Sequence, residues 1–187
     1  MKLTFQLLFV FLLLIGNGLV GQNYNYVEQA RSKEKLDTIY PYNVLLKTMN
    51  GDSSISNKLF AANGKPSLLI FWLTTCYPCR MEMDAIAIKY PEWQKELAFN
   101  TYAISTDWAH NIGSINKRWK DREWPFEFVW DYHKEFKEIM PGGLNGLPQA
   151  FVIDGKGKIV FHKRKYNTGD EDLLFEQLKL AAHATSH

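Results

Sequence analysis

Cys76 and Cys79 are the only cysteines in the 187-residue chain, and they stand three positions apart in the segment Trp72-Leu73-Thr74-Thr75-Cys76-Tyr77-Pro78-Cys79-Arg80. A bridge closing so short a loop removes little entropy from the unfolded chain, so a structural staple explains the pair poorly. Thiol–disulfide exchange needs an attacking thiolate and a second thiol near enough to resolve the mixed disulfide, and this spacing supplies both. The elements around the pair set the roles. Ser67 to Trp72 is continuously apolar, as in a strand covered on both faces, and should be the central strand. From Cys76 onward, Cys79, Met83, Ile86 and Tyr90 recur at intervals of three and four, as on one helix face. Cys76 is therefore expected where the strand ends and the helix begins, with unpaired N–H groups and the helix dipole favouring its thiolate. That makes Cys76 the nucleophile and Cys79, one turn later and facing the core, the resolving thiol. Pro78 falls in the first turn, where its missing N–H costs little, and it stiffens the loop between the sulfurs.

A lone Cys-x-x-Cys could also be half of a zinc site. A second cysteine pair is absent, and the five histidines show no paired ligand spacing, so no metal is expected. Covalent haem attachment wants a histidine directly after the second cysteine, where Arg80 stands. The exchange needs no cofactor beyond the two sulfurs.

The rest of the chain frames this chemistry. With 46% hydrophobic and 22% charged residues, it has the composition of one globular domain. Its 22 basic and 20 acidic residues are spread along the chain, giving no basic tract for nucleic acid. Lys163-Arg164-Lys165 reads as a solvated strand end.

At the N-terminus, Lys2, the apolar run Leu3 to Ile15 and the small residues Gly16, Gly18 and Gly21 form a signal-peptide pattern. Residues 1–21 are expected to be removed by cleavage after Gly18 or Gly21. The alternative is an uncleaved membrane anchor, since Leu3 to Val20 approaches the length that spans a bilayer. No cysteine follows the run to carry a lipid anchor. Export, most naturally to a periplasm, is the expected destination.

Residues 22–39 are polar and read as a linker or loosely docked segment, with the compact domain over 40–187. Val44 to Met49, Asn50-Gly51-Asp52 and Ser53 to Ile55 read as an N-terminal β-hairpin. Pro91 is expected to interrupt or kink the helix that follows Cys76. A strand over Ala98 to Ser105, a helix over Asn111 to Lys120 and a strand over Phe126 to Trp130 come next. A hairpin over Ala150 to His162, turning at Asp154-Gly155-Lys156-Gly157, and a closing helix from about Asp170 to Ala182 end the chain. Alternation followed by a hairpin predicts an α/β architecture, a mixed sheet with helices on both faces.

The run Leu69 to Glu82 around the cysteines, with Gly146-Leu147-Pro148-Gln149-Ala150-Phe151-Val152-Ile153-Asp154 downstream, resembles the exported thioredoxin-like reductases of the TlpA/ResA type. The resemblance covers the chain from about Tyr42 onward. It implies a thioredoxin-like fold extended by the N-terminal hairpin. It also implies client proteins bearing disulfides or thiols, and a membrane or periplasmic thiol protein as electron donor. It matches Pro148 to the family's cis-proline beside the cysteines, with Leu147 and Pro148 forming part of a substrate groove. Glu82 matches the glutamate of the exported branch. About 60° from Cys79 on the helical wheel, it lies at the edge of the buried face, where a raised pKa and a proton-transfer role are expected. The alternative is a surface carboxylate paired with Arg80 or Lys89. Cytoplasmic thioredoxins carry a buried aspartate where this chain has Ile70.

Trp72 is expected either to line the site or to sit in the core, and Tyr77 to be exposed where it can touch a partner. Most of Trp108, Trp119, Trp124 and Trp130 read as packing residues. A thioredoxin-fold peroxidase is the rival enzyme, disfavoured because Leu69 and Leu73 occupy the positions of the peroxiredoxins' proline and threonine. A non-catalytic binding module is the third reading, and retention of both cysteines argues against it.

Overall fold

The computed structural model describes residues 38–39, 43–60 and 64–185. The apolar run of residues 1–21, whether leader or anchor, lies outside them, as do residues 22–37. Among the described residues no helix is long and apolar enough to cross a membrane.

The strands are β1 (Thr38–Ile39), β2 (Leu45–Thr48), β3 (Ser53–Ile55), β4 (Ser67–Trp72), β5 (Asn100–Ser105), β6 (Glu127–Trp130), β7 (Gln149–Ile153) and β8 (Lys158–Arg164). The helices are α1 (Ser56–Leu59), α2 (Tyr77–Glu96), α3 (Ile112–Arg122), α4 (Phe136–Ile139) and α5 (Asp170–Thr185). One sheet runs in the order β1-β8-β7-β4-β5-β6-β2-β3. It is mixed: β4 pairs in parallel with β5 and antiparallel with β7, which continues antiparallel into β8.

Every residue of β4 is buried, as a strand with cover on both faces requires. The pleat sends Leu68, Ile70 and Trp72 into one core, with Cys79, Met83 and Ile86 of α2 and Leu174 and Leu178 of α5. Leu69 and Phe71 enter the opposite core with Phe60, Phe136 and Met140. The long helices thus share one face and the short α1 and α4 help to cover the other.

The expected hairpin is β2–β3, turning at Gly51 with φ of 87°. It joins the sheet through β2, which pairs antiparallel with β6. The sheet also begins earlier than expected, because Thr38 and Ile39 pair with Ile159 and Lys158 of β8 within the segment read as a linker.

Pro91 does not interrupt α2, which runs five residues beyond it to Glu96. The proline deprives the carbonyl of Ala87 of its partner. Packing on both sides of the lesion holds the helix: Ile86 is fully buried, and Trp93, 5% exposed, stacks on Phe175 of α5 at 4.7 Å.

Candidate active site

The tight turn at the end of β4 fixes the first sulfur. The Thr74 backbone N–H and hydroxyl donate to the buried Asp107 carboxylate at 2.9 and 2.7 Å, and Ser105 Oγ donates to it at 2.9 Å. The indole of Trp130 donates to the Asp107 carbonyl at 3.0 Å. Asp107 thus joins the segment before the cysteines to the end of β5. This anchor was invisible in the sequence, because 33 residues separate its partners and no local pattern links them.

Cys76 caps α2 in an extended conformation, and its Sγ accepts the Cys79 N–H at 3.3 Å. The two sulfurs form a disulfide. Cys76 is partly exposed and Cys79 fully buried, the asymmetry expected of an attacking and a resolving sulfur. Tyr77 is 64% exposed, with the Arg80 guanidinium 5.5 Å above its ring. Arg80 also donates to the Thr74 carbonyl at 2.9 Å.

The Leu147–Pro148 peptide is cis. Leu147 and Cys76 line one cleft of about 440 Å³, together with Leu73, Thr106, Lys134 and Lys137. The Pro148 carbonyl accepts the Lys165 N–H at 2.9 Å, whereas the backbone of Leu147 makes no hydrogen bond among the described residues.

Trp72 does not line the site. It is fully buried, with its ring edge-on to Trp124 at 5.4 Å and near Trp119 at 6.3 Å. The pleat that points it at α2 turns it away from the cleft. Trp124 and Trp130 are also buried, but Trp108 is 60% exposed.

Glu82 is 1% exposed and pairs with neither Arg80 nor Lys89. Its Oε1 lies 3.1 Å from Lys163 Nζ, which also meets Asp170 at 3.0 Å and donates to the Lys165 carbonyl. Glu82 Oε2 is buried without a partner among the described residues. Burial pushes the Glu82 carboxyl from its ordinary 4.5 up to about 7, against the pull of the Lys163 ammonium.

The solvated strand end expected at Lys163 is thus a buried cation, 8% exposed. A signal for it exists in retrospect. Phe161 faces the α2 core, and the period of two puts Lys163 on the same face.

Residues 43–162 match the AhpC/TSA family. The chain is 45% identical to the thioredoxin-like protein YneN of Bacillus subtilis over 121 residues, covering 61% of this chain and 63% of that one. It is 33% identical to the thiol-disulfide oxidoreductase ResA of Bacillus anthracis over 97 residues, 52% of this chain and 53% of that one. The matches thus span less than two thirds of these curated relatives. Among solved structures, a thioredoxin-like protein from Porphyromonas gingivalis superposes with a TM-score of 0.66 at 31% identity, covering 75% of this chain and 90% of that one. A thiol:disulfide interchange protein from Chlorobium tepidum superposes with a TM-score of 0.58 at 20% identity, over 78% and 99% of the two chains, and shows the shared thioredoxin-like fold.

Proposed function

The chain belongs to the AhpC/TSA family, and from that premise we propose that it is a thiol–disulfide oxidoreductase that reduces client-protein disulfides outside the cytoplasm. The observation that carries this reading is the Cys76–Cys79 disulfide at the junction of β4 and α2, with a helix N-terminal N–H directed at Cys76 Sγ.

In the dithiol form the Cys76 thiolate attacks one sulfur of a client disulfide, forming a mixed disulfide and releasing the first client thiol. The Cys79 thiolate then attacks Cys76 Sγ, expelling the second client thiol and leaving the Cys76–Cys79 disulfide. Two electrons and two protons pass to the client. A thiol protein of the membrane or periplasm restores the dithiol.

Glu82 follows Cys79 by three positions on α2 and is suited to take the Cys79 proton, because a carboxyl poised near 7 exchanges protons at neutral pH. Lys163 acts through Glu82, holding it against a larger rise. Leu147, with unpaired backbone groups in the cleft of Cys76, offers an extended client segment a place to pair. Tyr77, next to Cys76 in the chain, supplies an exposed ring. Export follows from the apolar N-terminal run, and Pro78 between the sulfurs favours the reducing direction. Residues 1–21 as leader, 22–37 as tether and the remainder as one catalytic domain complete the proposal.

Cys76→Ser and Cys79→Ser are each expected to abolish reduction of insulin disulfides, and Cys79→Ser alone to trap client mixed disulfides at Cys76. Wild-type turnover by either variant would refute the assignment. Rapid peroxide consumption dependent on Cys76 would move it to the peroxidase, against Leu69 and Leu73.

A further inference from the structure

The cleft beside Cys76 holds two cations that the exchange chemistry does not use. Lys134 and Lys137 both line it, and neither has an ion-pair partner among the described residues. The carboxylate that lines it, Asp131, is spent on α4: one oxygen accepts the Glu135 N–H and the other the Phe136 N–H, each at 3.0 Å.

Lys134 is held in place against its own preference. Its φ of 60° lies in the left-handed region that a lysine seldom adopts, and its Nζ stands 3.5 Å from the ring centroid of the exposed Trp108. Burial depresses its ammonium below the ordinary lysine value, with Asp107 and Asp131 opposing that shift. Asp107 and Asp131 act on Lys134 only through space, and a partly desolvated cation with no carboxylate in ion-pair contact among the described residues can receive one. Leu147, with its unpaired backbone, lies along the same cleft and calls for a polypeptide rather than a free anion.

We propose that this cleft selects client segments carrying aspartate or glutamate beside the cysteine to be exchanged, with Lys134 and Lys137 receiving the carboxylate. The inference rests on the oxidoreductase reading of Cys76. It names the class of client that reading leaves open.

The test uses two disulfide-linked peptides that differ only in Asp and Glu against Asn and Gln beside the cysteine. Each is reduced by the dithiol protein and, as a measure of intrinsic reactivity, by dithiothreitol. After that normalisation the acidic peptide should react about 5- to 10-fold faster at low salt, as steering by exposed charge predicts. The preference should shrink to about twofold or less at high salt. The double variant Lys134→Asn, Lys137→Gln should bring the ratio close to one, asparagine being at home in the left-handed region. Lys137→Glu alone should favour a Lys-flanked peptide, which keeps the test informative if Lys134 substitution disturbs the loop. Lys156→Gln, at the β7–β8 turn and so at the far end of β7 from Pro148, should keep the wild-type ratio.

Equal normalised rates for the two peptides, or a preference that survives both cleft variants, would overturn the inference while leaving the oxidoreductase intact. Failure to reduce either peptide would overturn both.

Discussion

On the proposed mechanism, the pH response of this site should follow a buried carboxyl flanked by a buried ammonium. Lys163 favours the charged form of Glu82 by Coulomb attraction and by its hydrogen bond, and burial opposes both more strongly. Among the groups facing the carboxyl, Asp170 and Glu171 of α5 push its pKa up further. The rate of client release should therefore rise as the pH passes through about 7. Glu82→Gln should remove that inflection, and Lys163→Met should move it upward. Stopped-flow rates across pH 5 to 9 would read both effects, and an unmoved inflection in Lys163→Met would exclude the coupling. The same carboxyl also links stability to pH. Its folded value of about 7 exceeds the ordinary 4.5, so between these values the folded chain keeps a proton that the unfolded chain has released. The stability it contributes is complete below about 4.5 and is lost as the pH rises through about 7, a change on the order of 3 kcal/mol. Urea unfolding of the oxidised protein should show a weaker decline from pH 5 to 8 in Glu82→Gln than in the wild type.

Helix α2 carries the site on a frame that survives an internal proline. Pro91 is exposed and forfeits one backbone hydrogen bond, whereas the stacked rings of Trp93 and Phe175 tie the last turns of α2 to α5. Pro91→Ala restores the donor but loses the entropy restriction that proline places on the unfolded chain. The balance predicts a gain of roughly 1–2 kcal/mol in urea unfolding, with insulin reduction unchanged; a loss of stability would show that the proline's restriction of the unfolded chain outweighs the missing hydrogen bond. Elements of this kind were partly legible in the sequence. The apolar run of β4, the threefold and fourfold spacing of α2 and the Asn50-Gly51 turn are local signals, and they placed Cys76, Cys79 and the hairpin. What escaped depends on contacts between distant segments. Lys163 meets Glu82 only when β8 has joined the sheet beside β7, Asp107 meets Thr74 across two strand ends, and the stacking that carries α2 past Pro91 comes from α5. Trp72 could be read toward the site or the core, because four positions before Cys76 the facing of its side chain is decided by the pleat.

Across the whole molecule, redox state and folding form one thermodynamic cycle. On the proposed reducing role, a potential below that of a comparable cysteine pair in the unfolded chain means that folding favours the oxidised form. The short loop contributes little entropy of its own, which leaves the difference to the folded surroundings of the two sulfurs. They include the burial of Cys79, whose thiolate would be ionised at a cost in the core, and the Thr74–Asp107 anchor, with the Cys79 N–H on Cys76 Sγ opposing them because it favours a Cys76 thiolate. The oxidised protein should accordingly need more urea to unfold than the dithiol form, by roughly 1.4 kcal/mol for every 30 mV that its potential lies below that of the unfolded pair. Parallel unfolding curves of the two forms, set against the potential measured in glutathione or dithiothreitol buffers, would check both legs of the cycle. A dithiol form that outlasts the disulfide would place the folded potential above that of the unfolded pair and count against the proposed reducing role, with the same two cysteines then serving an oxidant.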